Sequence, residues 1–380
     1  MALLKRSRIF WLAAACLIGP DAFAQPLEPS RQLRIGVMAP DDGPYELLGL
    51  QMRVALEAFG LDHSVTVVEA PETCKDGSGE DAALSMVEAG VDVVLGLFCV
   101  ETILSAMPVL AQSDIPAISL SVRADIVMEE ALSREWPLFR MEPSADTEAA
   151  RIADIIASDW SSEPFALIED GTIYGRDLVE TIRLELEEIG ITPSFVDNFR
   201  PAQELQFGLV RRLAGAGVTH VFIGGERLDI AIIARDARQA DLDLAFMGGD
   251  ALMAADLEIP LPDGVFAVIS QASRLNDQSA AAAIERQLEA SGQPDMRPGD
   301  GYLLPAYAAA EIALAARDAS RRRSRDLATI LREDRFPTAI GTVRFGADQS
   351  RDGQSFELMV SRNGVFTPTD DARSSPVAGQ

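Results

Sequence analysis

Residues 33–70 read LRIGVMAPDDGPYELLGLQMRVALEAFGLDHSVTVVEA, and two periods alternate within them. Leu33–Met38 is a short apolar run of the kind a strand carries when both its faces are covered. Leu47–Phe59 spaces its apolar residues as one face of a helix, and Val65–Glu69 returns to a strand. Working outward, Glu80–Ala89 is predicted as a helix, Val91–Leu97 as a strand, Thr102–Ser113 as a helix and Ala117–Leu120 as a strand. A β-α-β-α-β-α-β series builds a parallel sheet with helices on both faces.

The rhythm lapses over residues 123–143, where Pro137 and Pro143 punctuate the chain, and then restarts. Helices are expected at Ala149–Trp160, Asp177–Ile189, Leu205–Ala216 and Leu228–Ala240. Strands are expected at Phe165–Glu169, Ser194–Phe199, Val218–Gly224, Leu244–Met247 and Val265–Ser270, which makes a second parallel sheet. Ser279–Ala290 and Pro305–Ser320 are Ala-rich helices with no strand between them, so they are expected to cover a sheet already formed. Thr338–Phe345 and Phe356–Ser361 alternate apolar and polar residues and are expected to form a hairpin with each other.

The fold class is therefore α/β, two doubly wound parallel-sheet lobes joined by a multi-strand hinge. Lobe 1 is assigned to residues 31–142 plus 272–335 and lobe 2 to 143–271 plus 336–371, with 372–380 a flexible tail. Ligands of open α/β sheets bind at the carboxyl ends of the strands, and in a hinged pair those ends face one cleft.

The chain begins with an address. Lys5, Arg6 and Arg8 precede the apolar run Ile9–Gly19, and Ala22-Phe23-Ala24 offers a cleavage site that leaves Gln25 first, the order of a secretory signal peptide over residues 1–24. The run is shorter than the roughly 20 apolar residues of a membrane span. Lipid attachment at Cys16 is the alternative route to the same compartment, the periplasm. The formal net charge of −26 repels nucleic acid and anionic lipid and suits a soluble monomer. Cys74 and Cys99 remain after processing; in an exported chain they are expected to pair, with two buried free thiols as the other possibility.

Catalytic patterns are scarce. The two histidines, His63 and His220, share no ligand spacing with cysteines or acidic residues, and both suit structural roles. No nucleophile elbow, zinc-protease helix or phosphate loop occurs, and Gly215-Ala216-Gly217 precedes its strand rather than following it. Asp76-Gly77-Ser78-Gly79-Glu80 lacks the repeat of a calcium loop. Neither metal nor cofactor is expected. A hydrolase using cleft carboxylates is a minor alternative.

Several phrases, in order, resemble the leucine/isoleucine/valine-binding family of periplasmic solute-binding proteins, the receptors of ABC importers. They are Arg34-Ile-Gly-Val-Met-Ala-Pro with Gly43-Pro44; Cys74 and Cys99; Pro116-Ala-Ile-Ser119 with Pro137-Leu-Phe-Arg140; Tyr174-Gly175; Gly224-Gly225; Phe246-Met-Gly-Gly-Asp250; Gly341-Thr-Val-Arg-Phe345; and Asn363-Gly364. The resemblance runs from about Arg34 to Phe366. It implies a Venus-flytrap receptor, not an enzyme, that closes on an amino acid or similar small polar solute and presents the closed form to membrane permease subunits. A sensor module of the same fold, feeding a signalling receptor, is the alternative.

It also implies a Cys74–Cys99 disulfide and a site. Donors after Cys99 and after Ser119 would hold a carboxylate, which points to Thr102 and Ser121; Asp250 would take an ammonium and Tyr174 would supply the aromatic contact. The chain departs from the family at Val100, Leu120 and Val122, and it adds charge at Glu101, Arg123 and Glu226. Arg123 offers a planar donor fork suited to a carboxylate, and Glu101 and Glu226 offer acceptors.

Overall fold

Strand and helix periods sort the apolar residues onto opposite faces of two sheets. The computed structural model describes residues 32–75, 77–254, 259–270, 277–353 and 356–369. The expected signal peptide, Cys16 and the tail 372–380 lie outside these residues.

In chain order the first part contains β1 (Leu33–Ala39), α1 (Glu46–Asp62), β2 (Val65–Pro71), α2 (Ser78–Ala89), β3 (Val93–Gly96), α3 (Val100–Gln112), β4 (Ala117–Ser119), α4 (Asp125–Ser133) and β5 (Leu138–Arg140). The second part contains α5 (Ala145–Ile155), β6 (Phe165–Glu169), α6 (Ile173–Glu188), β7 (Phe195–Asn198), α7 (Phe207–Ala216), β8 (His220–Gly224), α8 (Arg227–Gln239), β9 (Ala245–Gly248) and β10 (Phe266–Ser270). The last part contains α9 (Gln278–Ala290), α10 (Leu303–Arg323), α11 (Leu327–Glu333), β11 (Phe336–Thr338), β12 (Gly341–Val343), β13 (Phe356–Arg362) and β14 (Val365–Pro368).

The first sheet has the order β2-β1-β3-β4-β5, and all its pairs are parallel. In β1, Leu33, Ile35 and Val37 face a core shared with α1, α9 and α10, while Met38 faces the core under α2, α3 and α4. The Ala-rich helices thus cover the first sheet, as their composition suggests. The second sheet has the order β14-β13-β10-β9-β8-β6-β7. Its parallel strands β6 to β10 repeat the first sheet's arrangement, with the first strand lying between the second and the third. Val221 and Ile223 of β8 pack toward α7 and α8, and Phe222 toward α5 and α6.

Three features differ from the sequence expectation. Residues 123–143 contain α4 and β5, so the first sheet has five strands. The expected hairpin does not form: β12 pairs with β11, and β13 pairs with β10 and β14, all antiparallel. Segment 336–345, expected with lobe 2, packs Phe336, Ile340, Val343 and Phe345 into the core around β1 and α10. Alternation along a strand tells which face is buried and leaves the choice of partner open.

Both sheets place their first and third strands side by side, and the carboxyl ends of these strands carry the loops that build the site. Residues 344–353 run beside the crossover near 140: Arg140 and Ser350 form a bridge, and Arg140 N donates to Gln349 O at 2.9 Å.

Candidate functional site

The loop between β4 and α4 is tied down before its side chains do anything. Ser119 Oγ donates to Leu97 O at 3.0 Å and Ser121 Oγ to Phe98 O at 2.9 Å, which fastens the loop to the end of β3. Arg140, buried in the crossover, donates through Nη1 to the backbone carbonyl of Arg123 at 3.0 Å and pairs with Asp125 at 2.8 Å. The Arg123 backbone is therefore fixed from the hinge, and its side chain extends toward the second sheet.

There it meets carboxylates from two elements packed with the second sheet and one from the crossover. Arg123 Nη1 donates to Glu148 Oε2 at 2.5 Å, and Nη2 donates to Glu142 Oε2 at 3.0 Å and also to Asp250 Oδ2. Glu148 stands in the first turn of α5, whose N-cap Ser144 accepts from Thr147 N at 3.1 Å. Asp250 follows β9 directly. Its backbone N–H donates to Glu148 Oε1 at 2.8 Å, and its Oδ1 accepts from Ser270 N at 2.8 Å. Tyr174 Oη donates to Glu148 at 3.2 Å and sits in the first turn of α6, capped by Thr172. Thr172 is in turn oriented by the buried carboxylate of Asp170 at 2.6 and 2.9 Å.

The cluster is buried: the Glu148 side chain is 0% exposed, Glu142 6%, Asp250 8% and Arg123 15%. Burial disfavours every charge in it. For Arg123 that penalty is outweighed by Glu148, Asp250 and Glu142, and the guanidinium is held firmly protonated. For Glu142 burial prevails over the attraction of Arg123 and lifts the carboxyl from 4.5 to about 7. Burial raises Glu148 as well, and the Tyr174 hydroxyl is pushed up by burial and then by Glu148. Tyr302, at the start of α10, faces the same charges: burial and then Glu142 push its hydroxyl up. Its ring meets Phe98 edge-on at 5.2 Å.

Of the residues expected at the site, the fold brings Arg123, Tyr174 and Asp250 into one network, with Ser121 supporting the loop that carries Arg123. Thr102, on the first turn of α3, is 1% exposed and lies beside Glu72. Glu101 is exposed on the first turn of α3. Glu226 is exposed at the start of α8, without a side-chain cap bond. Three carboxylates of the protein already engage the Arg123 fork.

Glu142, Glu148 and Tyr302 were missed. Glu148 had a signal, since it lies four residues before Ile152 and seven before Ile155, on the stripe that α5 buries. An acid on such a stripe needs a partner. Glu142 fell in the irregular stretch and Tyr302 at a helix end, and neither position carries a pattern.

Cys74 and Cys99 form a disulfide, Cα–Cα 5.4 Å, that ties the segment after β2 to the start of α3. Glu72 beside it accepts from Phe98 N at 2.9 Å and Cys99 N at 2.7 Å. With both sulfurs bonded to each other, this cluster offers no thiolate to a metal. His63 stacks on Phe59 at 4.0 Å and bonds Phe59 O, and His220 packs against Trp160 at 5.0 Å.

Residues 32–364 match the periplasmic binding protein family. The chain is similar to the Leu/Ile/Val-binding protein BraC3 of Rhizobium johnstonii, 25% identical over 90% of this chain and 95% of the relative. It is 24% identical to the leucine-, isoleucine-, valine-, threonine- and alanine-binding protein of Pseudomonas aeruginosa, over 94% of this chain and 95% of that one. Among solved structures, the branched-chain amino acid transporter substrate-binding protein LivJ from Streptococcus pneumoniae, in complex with isoleucine, superposes with a TM-score of 0.69 at 14% identity, covering 88% of this chain and 98% of that one. A solute-binding protein of an ABC transporter from R. palustris, in complex with 4-hydroxybenzoate, does so with a TM-score of 0.68 at 14% identity, covering 88% and 95%. At such identities the solved structures speak to the fold alone.

Proposed function

The chain belongs to the periplasmic binding protein family, whose members bind solutes rather than transform them, and from that premise we propose that it is the exported receptor of an ABC importer. It captures an amino acid or amino-acid-like small polar solute as two lobes close. Lobe 1 comprises residues 31–142 and 272–335 together with the packed segment 336–345, and lobe 2 comprises the remainder to 371. The observation that carries this reading is the bonding of Arg123, on the β4–α4 loop, to Glu148 and Asp250 at the edge of the other sheet. Polar groups from two sheet edges converge there, with Tyr174 and Tyr302 beside them. The signal-like leader supports the periplasm as the site of action, and among the described residues no helix is long and apolar enough to cross a membrane. Relatives named for branched-chain amino acids and a fold neighbour holding 4-hydroxybenzoate support a small organic acid, with or without an amine.

The test is a thermal-shift screen of ligand-stripped protein against amino acids, small amides and carboxylates. A solute at 100 times its Kd stabilises its receptor by about 2.7 kcal/mol. A clear rise in Tm with one chemical class is expected. No response across all three classes would reject the receptor reading.

A further inference from the structure

We infer that Arg123 fills the cation position of the cleft from within, so that the captured solute is a carboxylic acid without an amino group. This rests on the receptor reading above and narrows its ligand class.

A receptor for an ammonium must keep a carboxylate facing its cleft whose charge is not already met by a cation of the protein. Asp250 and Glu148 are the acids that lobe 2 presents to the β4–α4 loop, and both are engaged internally. Asp250 spends Oδ2 on Arg123 and Oδ1 on Ser270 N at 2.8 Å. Glu148 spends Oε2 on Arg123 at 2.5 Å and Oε1 on Asp250 N at 2.8 Å, with Tyr174 Oη at 3.2 Å. The arrangement is built rather than incidental. The Arg123 backbone is held by Arg140, and a Cβ at Gly249 would lie 2.3 Å from Glu148 Oε1, so that position leaves room for the carboxylate only as glycine.

An incoming ammonium would have to displace a guanidinium that donates to three carboxylates, and would then lie beside it as a like charge. The exchange gains nothing and strands a largely buried cation. An acid faces the opposite situation. Three of the five N–H donors of Arg123 go to Glu142, Glu148 and Asp250. Nε–H and the second Nη1–H have no acceptor among the described residues, and a solute carboxylate supplies one. Burial keeps Glu142 near 7 and raises Glu148, so the cluster repels an anion less than three ionised carboxylates would.

The experiment compares matched pairs by calorimetry on ligand-stripped native protein: 4-methylpentanoate against leucine, 3-phenylpropanoate against phenylalanine, and butanoate against 2-aminobutanoate. Mass spectrometry of whatever copurifies with the native protein is the second readout. The acid lacking the amine is expected to bind at least tenfold more tightly than its partner, and the copurifying solute to lack an amine. In Arg123→Ala, Asp250 and Glu148 become open to a ligand, and the preference is expected to invert by tenfold or more toward the amino acids. Tighter binding of the amino acids by native protein, or a copurifying amine, overturns the inference, and the native measurements decide it even if the variant does not fold. Amine-dependent binding leaves the receptor reading intact. Acids that bind but are not taken up through a permease leave the inference standing and remove the importer.

Discussion

Gly249 is the residue whose absence of a side chain sets how closely Glu148 and Asp250 approach. Its φ of −86° is open to any residue, so the requirement is space and not conformation. A Cβ there would meet Glu148 Oε1 at 2.3 Å and Tyr174 Oη at 3.3 Å. Gly249→Ala should push Glu148 off the Asp250 N–H and loosen its bond to Arg123. We expect solute affinity to fall tenfold or more while the far-UV circular dichroism stays native; calorimetry giving an unchanged Kd would remove Glu148 from the site. Asp250→Asn tests the neighbouring contact: it keeps the shape and an acceptor but loses the charge facing Arg123, for an expected cost of about 1–3 kcal/mol in thermal or urea unfolding. Legibility at this scale followed chemistry that shows in a pattern. Tyr174 and Asp250 were expected from the family-like phrases and Arg123 from its donor fork, and the fold places the three in one network. Glu142 and Tyr302 became neighbours only through the crossover and α10, whose docking no local period encodes. A helix start presents one side to the cleft and the other to the core, and a threonine such as Thr102 suits both.

At the scale of elements, the start of α3 is held twice. The disulfide joins Cys74 to Cys99 across a sequence separation of 25, and Glu72 accepts both N–H groups that precede the helix. Cys74→Ser with Cys99→Ser should lower the unfolding free energy by about 3 kcal/mol, the chain-entropy value for a loop of this size. Urea titration checks it, and a loss below about 1 kcal/mol would mean that Glu72 and the α2–α3 packing hold the segment unaided. Elsewhere, long elements with a clear period were legible to within a few residues, as α1, α6 and α8 illustrate. Two kinds of element were not. β5 has three residues and α4 nine, between prolines, and so short a window cannot separate periods of 2 and 3.6. β12 and β13 alternate as hairpin partners would, yet Val343 pairs with Phe336 and Val360 with Phe266. Strand pairing is decided by the tertiary fold, and alternation is blind to it.

The molecule as a whole repeats one strand order in two lobes, and this lets Arg123 meet Asp250 across a sequence separation of 127. The meeting buries acids in a chain already carrying a net charge of −26, and that has a consequence in pH. Glu72 and Glu142 are each lifted by burial from 4.5 to about 7, and burial raises Glu148 and Glu311 too. Below pH 4.5 such a carboxyl is protonated whether the chain is folded or not. Between 4.5 and 7 the folded state holds the proton that the unfolded state has released, so stability falls as pH rises through this window. A lift of this size is worth roughly 1–3 kcal/mol per group. Acids shifted the other way, such as Asp277 and Asp326, lose their contribution only as pH falls toward their own low range, outside the window. General self-repulsion of the acidic surface acts in the same direction, so a single curve would not identify the source. Glu142→Gln does, because it removes one titrating group and only one unit of charge. Native protein is expected to unfold at higher urea at pH 5.5 than at pH 8, and Glu142→Gln should flatten that difference measurably while Glu180→Gln, at an exposed helical pair with the opposite shift, should not. A native curve that is flat or rises toward pH 8, or a Glu142→Gln curve parallel to the native one, would mean that the buried acids around Arg123 stay ionised throughout and that the cluster carries its full negative charge.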